Sequence, residues 1–184
     1  MDTQLTRHFN VNEFTCKCRQ RGCRTNHVQL ELAQRLEKLY EFLETREGGV
    51  SAVIVTSGYR CPRHSVAVGG SYDDAHTRGI AADIYALKSD GVSRWDSREL
   101  AAVAERVGFT GIGIIDNTAV HCDIRNSDNY KNSHWFGDER TGNDIITTFA
   151  DYLPRKAAEK IGVATTKHTI AVYIDGAKVY EREV

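Results

Sequence analysis

"AVHCDIR", residues 119–125, alternates apolar and polar side chains with a period of two. On a strand, that period places Val120, Cys122 and Ile124 on one face and His121, Asp123 and Arg125 on the other. The apolar set belongs to a core. An imidazole, a carboxylate and a guanidinium are costly to bury without partners, so their face must meet solvent, a cleft or a metal ion. The segment is therefore half core and half candidate site. The next question is which residues could share a metal with His121.

"HTRGIAAD", residues 76–83, supplies two. His76 and Asp83 are separated by mostly small residues, and Gly79 offers a turn that lets both side chains reach one point. A mononuclear catalytic zinc takes three protein ligands and keeps one position open. His76, Asp83 and His121 form such an N, O, N set, one short of a closed structural site. The competing reading puts His76 on a loop and Asp83 at the start of a strand, neither with a special role.

A second cluster lies near the start, in "CKCRQRGC" (Cys16, Cys18 and Cys23), with Cys61 following in "SGYRCP". In a reducing compartment such clusters are more often free thiols or metal ligands than disulfides. A structural four-thiolate zinc requires all four to converge. The C-x-C-x4-C spacing is not a common zinc knuckle, so reduced, partly buried cysteines remain the alternative.

The chain has 184 residues, with 24 Lys and Arg against 25 Asp and Glu. That length suits one domain with a real core. The near-neutral balance supplies no basic field for nucleic acid and no polybasic run for a membrane surface. No apolar run approaches a membrane span, and the N-terminus lacks the apolar region of a secretory signal. Cytoplasmic synthesis is expected, with neither nucleic acid nor membrane as partner.

Val28, Leu32, Leu36, Leu39 and Leu43 recur at helical steps, and Gly48 ends the pattern. "SAVIVTSGYR" reads as a buried strand. The stretch "CPRHSVAVGGSYDDAHTRG" follows neither period and reads as a long loop. "IAADIYAL" is a strand, and "DSRELAAVAERVGF" is a helix with Asp96 as its cap, Glu99 completing a capping-box variant and Gly108 as its stop. "GIGIID" and "TAVHCDIR" make two further strands. "DIITTFADYLPRKAAEKIG" can be helical up to Pro154, and a hairpin around Asp175-Gly176 closes the chain, either joining the main sheet or standing apart. The expected class is α+β, a small antiparallel sheet with flanking helices plus a C-terminal β-hairpin extension. Residues 1–137 would form the catalytic domain, and residues 138–184 a helix and hairpin packed on it.

In order along the chain, "SGYR" (57–60), "VGG" (68–70), H-x6-D within "HTRGIAAD", "GIGI" (111–114) and "VHCD" (120–123) resemble the zinc D-alanyl-D-alanine carboxypeptidase family. That family includes phage endolysin peptidases and shares its fold and zinc site with the hedgehog signalling domain. "HFNVNEFTCKC" (8–18) is similar to the N-terminus of its phage and prophage members, and the likeness runs from about residue 8 to residue 136.

The resemblance implies His76, Asp83 and His121 as zinc ligands. It implies Arg60 as the group that grips a substrate carboxylate, for which a planar guanidinium is well suited. For the general base it points to Asp123, in an HxD arrangement, with Asp116 as runner-up because Ile115 stands at the hedgehog-like offset. Either acid could instead only orient His121. Two positions depart from the family pattern: Asp74 stands where a serine is usual, and Ser65 stands near a usual asparagine. Trp135 and Phe136 are expected to close the core or line the cleft, and His134 could assist the transition state. The remaining histidines (His8, His27, His64 and His168) are taken as surface residues.

The expected function is that of a monomeric zinc peptidase acting on peptidoglycan stem peptides, endolysin-like, reaching the cell wall after release. The hairpin could serve as a wall-binding element. A catalytically silent zinc-binding interaction module and a structural phage protein are the alternatives.

Overall fold

The computed structural model describes residues 3–18, 20, 23, 27–125, 135–138, 148 and 149, and the backbone of two strands at 169–174 and 177–183. A 3-10 turn, Val11–Phe14, precedes helix α1 (Leu30–Glu44) and strand β1 (Ala52–Ser57). Helix α2 (Pro62–Ala67), strand β2 (Ala81–Leu87) and helix α3 (Ser97–Arg106) follow. Strands β3 (Gly111–Ile114), β4 (Val120–Asp123) and β5 (Trp135–Asp138) come next, and β6 (Thr169–Ile174) and β7 (Ala177–Glu183) are last. The class is α+β, as read from the sequence.

The main sheet has the order β1-β2-β4-β3-β5. Its first four strands pair antiparallel, as expected, but β5 adds to β3 in parallel, so the sheet is mixed. A four-residue edge strand carries too short a pattern to announce itself. β6 and β7 pair antiparallel as their own two-stranded sheet, separate from the five-stranded one, and the expected turn at 175–176 lies outside the described residues. Helix α2 corrects the reading of 61–79 as loop throughout. It is six residues long, too short for a 3.6-residue period to show, and Pro62 sits in its first turn, where the missing N–H is not needed.

One face of the sheet is the core. The leucines of α1 (Leu32, Leu36, Leu39 and Leu43) are fully buried, and so are Leu100 and Ala101 to Ala104 of α3. α3 packs on β2, β3 and β4, and α1 packs against α3. Ile84, Ile112, Ile114, Val120, Cys122 and Ile124 meet these helices from the sheet. Asp96 caps α3 as read, its carboxylate accepting from the Arg98 N–H at 2.8 Å. Phe136 also enters this core, 5.2 Å from Phe149 between ring centroids. Among the described residues, no helix is long and apolar enough to cross a membrane. His134, His168 and, apart from Thr148 and Phe149, the expected helix before Pro154 lie outside the described residues.

The N-terminal segment is fastened to α1 by Glu37. Its carboxylate accepts from Thr6 Oγ1 at 2.8 Å and from the His8 backbone N–H at 3.1 Å, and it lies 2.7 Å from His8 Nδ1. His8 also stacks on Tyr40 at 3.7 Å, so it is a clamp and not the plain surface residue expected. Burial would raise the Glu37 pKa, but the hydrogen bonds from Thr6 and His8 outweigh it and hold the carboxyl below its ordinary 4.5. A depressed carboxylate pKa adds stability above the unfolded-state value and loses it as pH falls through the folded value. Glu37→Gln should therefore be less stable than the parent at pH 7, and the gap should close below about pH 4.5. Urea denaturation at pH 7 and pH 3 checks this; an equal gap at both would contradict it.

Candidate metal centre

The antiparallel register of β2 and β4 sets Asp83 opposite His121 and Ala81 opposite Asp123. β3 extends both rows, with Gly113 beside His121 and Gly111 beside Asp123. Opposed residues share a face. The alternation that buries Ile84, Val120 and Cys122 against the helices therefore turns Asp83, His121 and Asp123 the other way. Asp123 is nonetheless fully buried, roofed by the close approach of β3: a Cβ on Gly111 would lie 2.2 Å from its Oδ1.

His76 arrives from the loop before β2. Gly79 turns that loop with φ 71°, and a Cβ there would fall 1.5 Å from the His27 carbonyl oxygen. Two contacts tie the loop to the segment after β1. The Arg60 N–H donates to the His76 carbonyl at 3.3 Å, and His76 Nδ1 lies 2.8 Å from the Gly58 carbonyl. A bulge between Val55 and Ser57 breaks the β1–β2 register beside Asp83, a common device for re-aiming a chain near a site.

His76 Nε2, Asp83 Oδ1 and His121 Nδ1 form a triangle with sides of 3.3, 2.9 and 3.2 Å. Ligands about 2.0–2.1 Å from a tetrahedral zinc stand about 3.3 Å apart, so the triangle fits one face of that tetrahedron. Each donor is also held from outside. Gly58 occupies the other nitrogen of His76, leaving Nε2 to ligate. Asp83 Oδ2 takes Arg60 Nη2, while Arg60 Nε donates to Ser57 Oγ at 2.8 Å. His121 Nε2 lies 3.0 Å from Asp123 Oδ2, and Asp123 accepts from Arg125 Nε at 2.9 and 2.8 Å. Such partners select the tautomer and aim the ring.

The electrostatics favour a positive charge at this point. Burial alone would lower the His121 pKa, yet Asp123 and Asp83 lift it to about 9. Burial would raise both carboxyls as well. His121 and His76 hold Asp83 well below the usual carboxylate range, and His121 and Arg125 do the same for Asp123. A cation at Nδ1 supplies the charge that a proton otherwise provides.

The three donors border a cleft of about 420 Å3 whose walls include Arg60, Asp74, Gly113, Ile115 and Arg125. Neither sequence-derived candidate base is on that wall. Asp123 stands behind His121, on the Nε2 side, away from Nδ1. Asp116 closes the β3–β4 turn, accepting from the Thr118 and Ala119 N–H groups at 2.6 and 2.7 Å, which also lowers its pKa. Arg60 is on the wall but is already engaged with Asp83, a contact that sequence reasoning missed. Arg125, which strand alternation puts on the site face, also borders the cleft. Asp74 and Ser65, the two departures from the family pattern, are bonded to each other, Ser65 Oγ donating to Asp74 Oδ2. Separately, Cys16, Cys18, Cys23 and Cys61 converge, their sulfurs within 4.8 Å of one another.

Three converging donors beside a cleft have the form of an open hydrolytic metal site, not a closed structural one. A family model described as Peptidase M15 matches residues 7–123, which include all three donors and Arg60, and the chain belongs to that family. No curated protein and no solved structure matches it.

Asp123→Asn should weaken zinc binding by about 10- to 100-fold, the usual scale for losing an outer partner of a ligating histidine. Losing its pairing with the partly exposed Arg125 should also destabilise the fold. Gly111→Ala, which intrudes on the same carboxylate, should move both quantities in the same direction. Chelator competition and thermal denaturation measure them; unchanged zinc affinity in Asp123→Asn would remove its orienting role.

Proposed function

We propose that the protein is a zinc peptidase hydrolysing an amide bond in the peptide stems of bacterial peptidoglycan, as phage and prophage endolysins do. The observation that carries this reading is the triangle of His76, Asp83 and His121, which needs no rearrangement to accept zinc and lies inside the segment matched as a peptidase. His76, Asp83 and His121 would hold the zinc, which would supply a Lewis acid for the scissile carbonyl and a lowered pKa for water.

The chain's own residues supply the rest. Arg60 and Arg125 give the cleft two guanidinium groups, which suits stem peptides rich in carboxylates. Arg60 holds Asp83 as well as facing the cleft, so it links substrate position to ligand position. Asp74 is the carboxylate on the described cleft wall other than Asp83, and it is steadied by Ser65 and by the Thr77 N–H at 2.9 Å. We assign Asp74 the proton of the attacking water, which it then passes to the leaving amine. Asp123, which touches neither water nor substrate in this scheme, orients His121.

Purified peptidoglycan incubated with the protein should release new amino termini, with activity lost to a chelator and restored by zinc. Mass spectrometry of the muropeptides names the bond from the mass lost. Zinc binding without any cleavage would favour a silent module of the same fold. His76→Ala and His121→Ala should lose catalytic zinc and turnover together. Asp74→Asn should keep zinc and KM while kcat falls by roughly two to four orders of magnitude, the scale of general base catalysis. Wild-type kcat in Asp74→Asn would refute that assignment while leaving the metal centre intact. Arg60→Ala should raise KM and weaken zinc binding together, because both contacts go with one side chain.

A further inference from the structure

The four-sulfur cluster is not used by the site described above. Three of its cysteines come from one short stretch, "CKCRQRGC", and the fourth from the loop after β1. The fold brings them together through contacts that do not depend on sulfur. The Tyr59 N–H donates to the Phe14 carbonyl at 2.9 Å, and Lys17 Nζ donates to the carbonyls of Val55 and Thr56 at 3.2 and 2.6 Å. Residues 14–18 are thereby laid along the end of β1, and Cys16, Cys18 and Cys23 lie close to Cys61.

The Cys61 N–H then donates to Cys16 Sγ at 3.3 Å, and the Cys18 and Cys61 sulfurs lie 3.9 Å apart. Four thiolates about 2.3 Å from a tetrahedral zinc stand about 3.8 Å from one another. The cysteines are free thiols, and the mutual nearness of all four sulfurs selects no pair for a disulfide. Cys16 is buried and the other three are half-buried, which suits a closed centre at the edge of the core. Cys122, the fifth cysteine, sits apart in the core face of β4, where it behaves as a small hydrophobe.

We propose that Cys16, Cys18, Cys23 and Cys61 bind a second zinc ion as a closed tetrathiolate centre that staples the N-terminal segment to the loop carrying Arg60. Four thiolate donors suit a tetrahedral zinc, and a full set of four leaves no position for substrate, so the role is structural. Binding converts the four thiols to thiolates and releases their protons to solvent. The consequence for the neighbouring site is positional. Cys61 follows Arg60 directly, Arg60 reaches Asp83, and the Arg60 N–H and the Gly58 carbonyl both hold the His76 loop. One anchored strip, 58–61, thus touches the sulfur cluster at one end and two metal-site residues along its length.

The test uses the full chain, made with zinc and purified under reducing conditions. Elemental analysis should find two zinc ions per chain, one remaining in His121→Ala and one remaining in Cys18→Ser or Cys23→Ser. Cobalt reconstitution should produce an intense thiolate-to-cobalt charge-transfer absorption in the wild type and in His121→Ala, and none in Cys18→Ser. Should the cysteine variants fail to fold, the absorption in His121→Ala decides alone. Protease should cut the segment before α1 several-fold faster in Cys18→Ser than in the zinc-loaded parent, and equal cutting would overturn the staple. A wild type with one zinc that vanishes in His121→Ala, cobalt-loaded protein without the thiolate absorption, or cysteines recovered as disulfides overturns the centre. None of these results bears on whether the histidine site is catalytic.

Discussion

The register between β2 and β4 is the constraint on which the site depends. It sets Asp83 across from His121 in the middle of the sheet, and a slip of one residue would send both into the helix-packed core. That core opposes any slip, because Ile84, Val120 and Cys122 would be expelled to the polar face in exchange. The hydrophobic effect thus holds two candidate metal donors in place without touching them. Two small positions on β3 complete the arrangement. Gly111 leaves room for the Asp123 carboxylate, and Gly113, beside His121, borders the cleft.

Charge balance is the second organising feature. Asp83 and Asp123 are buried or nearly so, and unpaired carboxylates there would be heavily penalised. Each is instead bonded to an arginine and to His121, which forms a chain from Arg125 through Asp123, His121 and Asp83 to Arg60. The candidate donors Asp83 and His121 lie within that chain, already neutralised from behind. This explains why acids that look catalytic in sequence can serve a different purpose. Asp123 is fully buried and meets His121 on its Nε2 side. Asp116 is consumed by its own turn.

Residues 58–61 tie these features to the N-terminus. Gly58 orients His76, Tyr59 pairs with Phe14, Arg60 reaches Asp83, and Cys61 joins the sulfur cluster. The catalytic family match and the thiol cluster therefore meet in a single short loop. A change in the N-terminal segment can reach the metal site through this loop, although its cysteines contribute no donor there.

Periodicity and spacing alone were enough to identify α1, α3, the four antiparallel strands, the hairpin, and His76, Asp83 and His121 as a possible donor set. These are local or patterned properties: a repeat of two or 3.6, a capping aspartate, a turn glycine, and donor types of known affinity. The short elements α2 and β5 were not legible, because six or four residues are too few to display a period. The roles of the acids were also not legible, since a carboxylate two residues from a ligand and one five residues from it look equally eligible on paper. Only the packed chain decides which side of the imidazole each occupies, which arginine neutralises it, and whether it borders the cleft. The same holds for Ser65 with Asp74 and for the four cysteines. The first contact runs between α2 and the segment before β2, and the second joins the N-terminal segment to the loop after β1, so no local pattern encodes either.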